Sequence, residues 1–136
     1  MIDYKKILSE NACGVLATQD KNRIRTRVFH YLFSIGDKAY FCTSNEKDVY
    51  RQLKFNPAVS FCTYSDAFNP VLSIDGSAVF STDKELKKRA LDENPEIKKI
   101  YKSPDNLAFE LFYIDIEEIK VFDFKNGPRK FIPGEK

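Results

Sequence analysis

A chain of 136 residues with 43% hydrophobic content can bury one proper core and would be cramped as two domains. Its 22 basic and 20 acidic residues leave a net charge of +2, which excludes a generally basic binder of nucleic acid or membrane surfaces. That near balance leaves local clusters of arginine meaningful.

In chain order, residues Ile2 to Glu10 read as a short helix with Ile7 and Leu8 facing inward. Ala12 to Thr18 is a compact apolar strand, and Gln19-Asp20-Lys21-Asn22 turns into a second strand, Arg23 to Phe33. After Ile35-Gly36-Asp37 comes a β-rich run, Ala39 to Cys42, which gives way to Thr43-Ser44-Asn45. Val49 and Leu53 then recur at helical spacing, and this helix stops near Asn56-Pro57 because a proline disfavours helical geometry in the residue before it. Val59, Phe61 and Thr63 alternate in a further strand, Ser65 to Pro70 is a loop, and Val71 to Phe80 is strand again, with Gly76 marking a bulge or a close backbone approach. Thr82-Asp83-Lys84-Glu85 has the capping-box form and opens a helix carrying Leu86, Ala90 and Leu91. Asn94-Pro95 begins a second helical piece ending near Tyr101, and 102–106 is loop. Phe109 to Phe124 is a strand interrupted near Glu117-Glu118, and residues 125–136 read as a polar C-terminal tail.

Six strands with short helices between them favour a closed or partly open antiparallel barrel over a parallel sheet. The 12 Phe and 7 Tyr suit such a barrel, mostly as core. Cys13, Cys42 and Cys62 are odd in number and lie in apolar runs, which favours reduced, buried thiols over disulfides. With one histidine and no Cys-x-x-Cys pair, no metal site is expected. Lys5, Lys6 and Glu10 interrupt any signal-peptide pattern and no apolar run approaches membrane-spanning length, so the expectation is a soluble, cytoplasmic protein.

Two stretches carry chemistry. In Arg23 to Phe33, alternation puts Arg23, Arg25 and Arg27 on a face that continues as Phe29, Tyr31 and Phe33, with Ile24, Val28 and Leu32 opposite. Guanidinium groups match phosphate bidentately, and the aromatics offer a surface to a flat ligand. One strand later, Thr43, Ser44 and Lys47 gather at a helix N-terminus, where free N–H groups and the dipole favour an anion. The plainer alternative is that Thr43, Ser44 or Asn45 only caps that helix. His30, the single histidine, lies on the face opposite the arginines, where a structural role is the commoner one, and no catalytic residue is identified.

Arg25-Thr26-Arg27, then Tyr40 to Ser44 with Lys47, Gln52-Leu53 and Asn56-Pro57, together with Asn94-Pro95, 100–106 and Phe109 to Tyr113, resemble the flavin-binding split barrels related to pyridoxamine 5′-phosphate oxidase. The resemblance runs from about Ile7 to Phe124 and implies one mainly β domain over 1–124, a six-stranded antiparallel split barrel that binds FMN and pairs into a homodimer with the flavin at the interface. It implies that Arg25, Arg27 and Lys47 neutralise the phosphate and that Thr43 and Ser44 donate to it. Thr26 and Val28 would line the ring through their backbone, and Gln52 is a further cofactor-binding candidate. Either arginine would also serve at the ring edge, and a deazaflavin would suit the same residues. Members of the namesake oxidase are longer and end in an arginine- and histidine-bearing segment that grips the substrate phosphate, whereas this chain closes with Gly127 to Lys136. The function implied is therefore not pyridoxamine phosphate oxidation but an FMN oxidoreductase that reduces a small organic acceptor or flavin with a nicotinamide donor. The alternatives are a non-catalytic module that stores, carries or senses flavin, and, more remotely, a barrel for haem.

Overall fold

The computed structural model describes residues 2–134 and consists of antiparallel sheet with short helices. The strands are β1 (Cys13–Asp20), β2 (Arg23–His30), β3 (Phe33–Ile35), β4 (Lys38–Ser44), β5 (Ala58–Tyr64), β6 (Val71–Ser81), β7 (Phe109–Asp123) and β8 (Gly127–Phe131). Helices α1 (Tyr4–Glu10), α2 (Asp48–Phe55), α3 (Lys84–Asp92) and α4 (Pro95–Tyr101) fall between them. The sheet runs β2-β1-β5-β6-β7-β4-β3, with β8 added on β7, and its two ends do not join: the barrel is split between β2 and the β3–β4 hairpin.

Alternation dictates the interior. From β1, β4, β5, β6 and β7, Leu16, Phe41, Phe61, Leu72, Ile74, Phe112 and Ile114 turn inward and are fully buried. Leu8 of α1 and Val49 and Leu53 of α2 close over them. Phe41 is the hub, its ring 4.8 Å from that of Phe61 and 5.7 Å from that of Phe112. Across the split, Phe29 of β2 reaches Phe112 at 5.7 Å, so aromatic contact rather than a hydrogen-bond ladder bridges the gap. A second cluster lies on the other side of β4, where Ala90 and Leu91 of α3 pack on Phe33, Tyr40 and Leu111. Full burial of such side chains contributes roughly 1.5–3 kcal/mol each.

All six expected strands are present, but the second, read as Arg23 to Phe33, ends at His30; Phe33 opens the separate strand β3 and packs in the second cluster, so it does not continue the face of Phe29 and Tyr31. The other differences from the sequence reading are local. Residues 127–131, read as part of a polar tail, form β8, which pairs with β7 from Ile119↔Phe131 to Asp123↔Gly127. Phe131 packs against the main core, which explains why the segment folds back. The break expected near Glu117-Glu118 is a bulge instead: Asp75 faces Glu118 and Gly76 faces Ile116, leaving Glu117 as the extra residue in a continuous β7. The cap of α3 is Asp83 rather than Thr82, its carboxylate accepting from the N–H groups of Glu85 and Leu86. No helix among the described residues is long and apolar enough to cross a membrane.

Candidate functional site

The arginine strand holds its expected alternation from Arg23 to His30. Its basic side is the one turned toward the core: Arg27 and Phe29 are half-buried, and Tyr31, continuing the row, is buried. The apolar side is exposed, Ile24 at 74% and Val28 at 71%. Antiparallel pairing with β1 (Thr18↔Arg25, Leu16↔Arg27) and the packing of α2 on β1 bring the arginines beside the start of α2. A cleft of about 540 Å³ results, lined by Asp20, Arg25, Thr26, Arg27, Lys47, Asp48, Val49 and Gln52.

Each cation in this cleft is held differently. Arg25 Nε lies 3.5 Å from Asp20, which Arg51 also approaches at 3.3 Å. The hydrogen bond from Arg51, and then the one from Arg25, hold the Asp20 carboxyl below the usual carboxylate range. Arg27 has no carboxylate partner among the described residues. Its Nη1 donates to Thr18 Oγ1 at 2.7 Å and its Nη2 to Gln52 Oε1 at 2.7 Å, while the Thr18 hydroxyl donates to Gln52 Oε1 at 2.6 Å. Burial, and secondarily the charge of Arg25, pull its proton affinity below that of an ordinary arginine, although it stays cationic at neutral pH. Lys47 likewise forms no ion pair among the described residues. It lines both this cleft and a smaller one of about 190 Å³ bounded by Val28, Phe29, His30, Cys42, Ile97, Ile100 and Tyr101.

Of the expected site residues, the structure thus gathers Arg25, Thr26, Arg27, Lys47 and Gln52 around one cleft and puts Val28 at its neighbour. It does not bring Thr43 or Ser44 to either lining. Thr43 is buried in the barrel wall, where its Oγ1 has no hydrogen-bond partner among the described residues. Ser44 accepts from the N–H of Glu46 and so shapes the turn. The alternative reading, in which Thr43, Ser44 or Asn45 caps α2, fails too: the cap position is Lys47, which makes no side-chain capping bond. Gln52 is not a solvated helix residue, being 3% exposed. Sequence reasoning missed Thr18, at 2% exposure, and Asp20. The signal for Thr18 was available, since it follows Gly14 and Leu16 on the inward face of β1 and is a polar residue in that buried row, with Asp20 at its end.

The donor set fits a flavin mononucleotide phosphate. Two cations without a carboxylate partner stand at one concave surface, and the first turn of α2 lacks a side-chain cap. Asp20 and Asp48 in the same lining restrict the positive field to the Arg27 and Lys47 side.

The family model described as pyridoxamine 5′-phosphate oxidase matches residues 2–123. Among solved structures, a NimC/NimA family protein of Clostridium acetobutylicum superposes with a TM-score of 0.83 at 26% identity, covering 93% of this chain and 87% of that one. A pyridoxamine 5′-phosphate oxidase-related, FMN binding protein of Nostoc punctiforme gives 0.65 at 14% identity, with 93% and 82% covered. A heme binding protein of Mycobacterium smegmatis gives 0.78 at 16% identity, with 95% and 56% covered. No curated protein matches the sequence. With 122 consecutive positions, 2 through 123, matched by the family model on a split barrel of this topology, the chain belongs to the pyridoxamine 5′-phosphate oxidase family.

Proposed function

We propose that the protein is an FMN-binding oxidoreductase that takes reducing equivalents from a nicotinamide donor and passes them to a small organic acceptor or to free flavin. The observation that carries this reading is the pairing of Arg27 and Lys47, both without a carboxylate partner among the described residues, in a cleft on the core-facing side of β2. Bound FMN would supply the two-electron redox chemistry, and the residues supply binding and orientation. Arg27 and Lys47 would hold the phosphate, with Gln52 beside them and Arg25 as an outer cation tied to Asp20. Thr26 and Val28 would offer backbone to the ring. A non-catalytic flavin carrier or sensor is the second reading, suggested by a main cleft that offers a phosphate site while His30, Cys42 and Tyr101 line only the smaller neighbouring one.

The test is the visible spectrum of the purified protein after FMN is added and the excess removed, followed by steady-state oxidation of NADH and NADPH by the loaded protein. Retained flavin bands with donor turnover support the oxidoreductase, and retained bands without turnover support the carrier. A colourless protein, or one that takes up only haemin, overturns both.

A homodimer belongs to the same proposal. The outward side of β1 and β5 carries Cys13, Val15, Ala17 and Gln19 beside Ala58, Ser60, Cys62 and Tyr64, with no charged side chain. Val15 pairs with Val28 on one side and Cys62 on the other, which makes an uncharged surface continuous with the exposed edge strand β2. A contiguous uncharged sheet face of this kind is the sort of surface that a partner covers. Light scattering should give twice the chain mass for the wild type and the single chain mass for Val15→Asp. A monomeric wild type rules the interface out.

A further inference from the structure

We infer that Thr18 and Gln52 act together as a neutral stand-in for a carboxylate, gripping Arg27 by one edge of its guanidinium so that its full charge and its other edge remain for the phosphate bound in the cleft. This rests on the flavin reading above and goes beyond it, since it assigns Thr18 a role and makes Gln52 a positioning residue rather than a contact.

The geometry is that of an arginine–carboxylate fork. Two acceptor oxygens 2.6 Å apart, Thr18 Oγ1 and Gln52 Oε1, each receive one terminal nitrogen of Arg27 at 2.7 Å. The orientation of the Gln52 amide follows from its neighbours. With its NH₂ group turned to this side, donors would face the Arg27 nitrogen and the Thr18 hydroxyl; with Oε1 there, all three groups are satisfied. A glutamate at position 52 would make the same fork and cancel the charge of Arg27. Glutamine keeps the fork and leaves the charge. The terminal nitrogens of Arg27 are thus committed along one edge, with Nη1 also 3.4 Å from the carbonyls of Leu16 and Arg25. Its Nε–H and second Nη2–H lie along the other edge and have no acceptor among the described residues. Both holding residues are almost fully buried, so the fork is fixed before any ligand arrives and little side-chain freedom is lost on binding.

The test is an FMN titration, read by quenching of the flavin fluorescence, on wild type, Gln52→Glu, Thr18→Val and Thr18→Ser, with Tm measured for each. Gln52→Glu should weaken FMN roughly 10- to 100-fold, the loss of a charge-assisted contact, without lowering Tm, because the variant gains a buried ion pair. Riboflavin, which lacks the phosphate, should bind wild type and Gln52→Glu alike. Thr18→Val should weaken FMN and Thr18→Ser should restore it. Gln52→Glu that holds FMN as tightly as wild type, or that loses riboflavin equally, overturns the inference. Should wild type hold no FMN, the flavin reading alone falls, and the inference is read from inorganic phosphate instead, through the Arg27 Nε–H signal in ¹⁵N–¹H spectra. A phosphate-dependent shift in wild type that is absent in Gln52→Glu supports it; the same response in both, or none in either, overturns it.

Discussion

Purified Arg27→Ala/Lys47→Ala protein should leave a desalting column colourless after incubation with FMN under conditions in which the wild type stays yellow. Each substitution removes one charge-assisted contact to the phosphate, and such contacts contribute roughly 1.5–3 kcal/mol. The pair therefore costs about 10²- to 10⁴-fold in affinity if the two act independently. Of the three basic residues lining the cleft, these two lack a carboxylate partner among the described residues, whereas Arg25 already shares Asp20 with Arg51. Their removal leaves Arg25 facing Asp20 and Asp48, with no cation in the cleft lining free of a carboxylate partner. The control is Lys5→Ala/Lys6→Ala on α1, outside the cleft lining, which makes the same change in net charge. If that control loses flavin equally, the attraction is a general field and not a cradle. If the double variant stays yellow, the phosphate lies elsewhere. Folding should be little affected, because Lys47 is exposed and Arg27 lies at an open edge of the sheet; truncating it leaves Thr18 and Gln52 still bonded to each other. Equal Tm values for wild type and variant are part of the expected result.

The sequence pattern made the cations of the cleft legible because a strand's two-residue period is strict: once Arg23 to Phe33 is read as β, Arg25 and Arg27 must share a side. Which side faced the core was not legible, since alternation assigns faces without saying which is inward, and the answer comes from the strand's place at the open edge of the sheet. The Thr18–Gln52–Arg27 fork was hidden for a related reason. Its members are 9, 25 and 34 residues apart and meet only through the β1–β2 register and the packing of α2 on β1, neither of which local spacing encodes. Thr43 and Ser44 were assigned to the phosphate from their place just before a helix and from the family resemblance. The β4 alternation turns Thr43 into the wall, and Ser44 is used by the turn. Strand β8 was missed because edge strands look unlike strands. Gly127, Pro128 and Lys130 are the residues that protect an exposed edge, and they depress every propensity signal. Gly76 was legible in kind, as a bulge or close approach, and the structure shows both at once.

That double role makes Gly76→Ala the substitution with the largest expected effect on stability. A Cβ at position 76 would stand 2.1 Å from the carbonyl oxygen of Asp115 and 2.9 Å from its carbonyl carbon, with Ile114 Cγ2 at 3.0 Å. A side-chain clash can relax by a rotamer change, but a backbone carbonyl in a paired strand moves only if the ladder opens. Here the ladder has no slack. Just past this contact the N–H of Ile116 leaves the β6 ladder and donates to Asp37 O in the β3–β4 turn at 3.1 Å, so β7 is gripped from both sides at its bend. The expected cost is about 3 kcal/mol or more, a fall in Tm of roughly 10 °C or more for a chain of this size. Ser77→Ala, one residue on, removes only an exposed hydrogen bond to Glu117 and should melt close to wild type. The damage should also reach the cleft, because residues Phe109 to Asp115 of β7 are the hydrogen-bonded partner of β4 from Ser44 to Lys38, and β4 delivers the chain to Lys47. Below its Tm, Gly76→Ala should therefore bind FMN more weakly than wild type yet more tightly than Arg27→Ala/Lys47→Ala, since it displaces one cation and deletes none. A Gly76→Ala protein that melts within about 2 °C of wild type would show that β6 and β7 do not make this close approach, and with it would go the bend that sets β4 against the cleft.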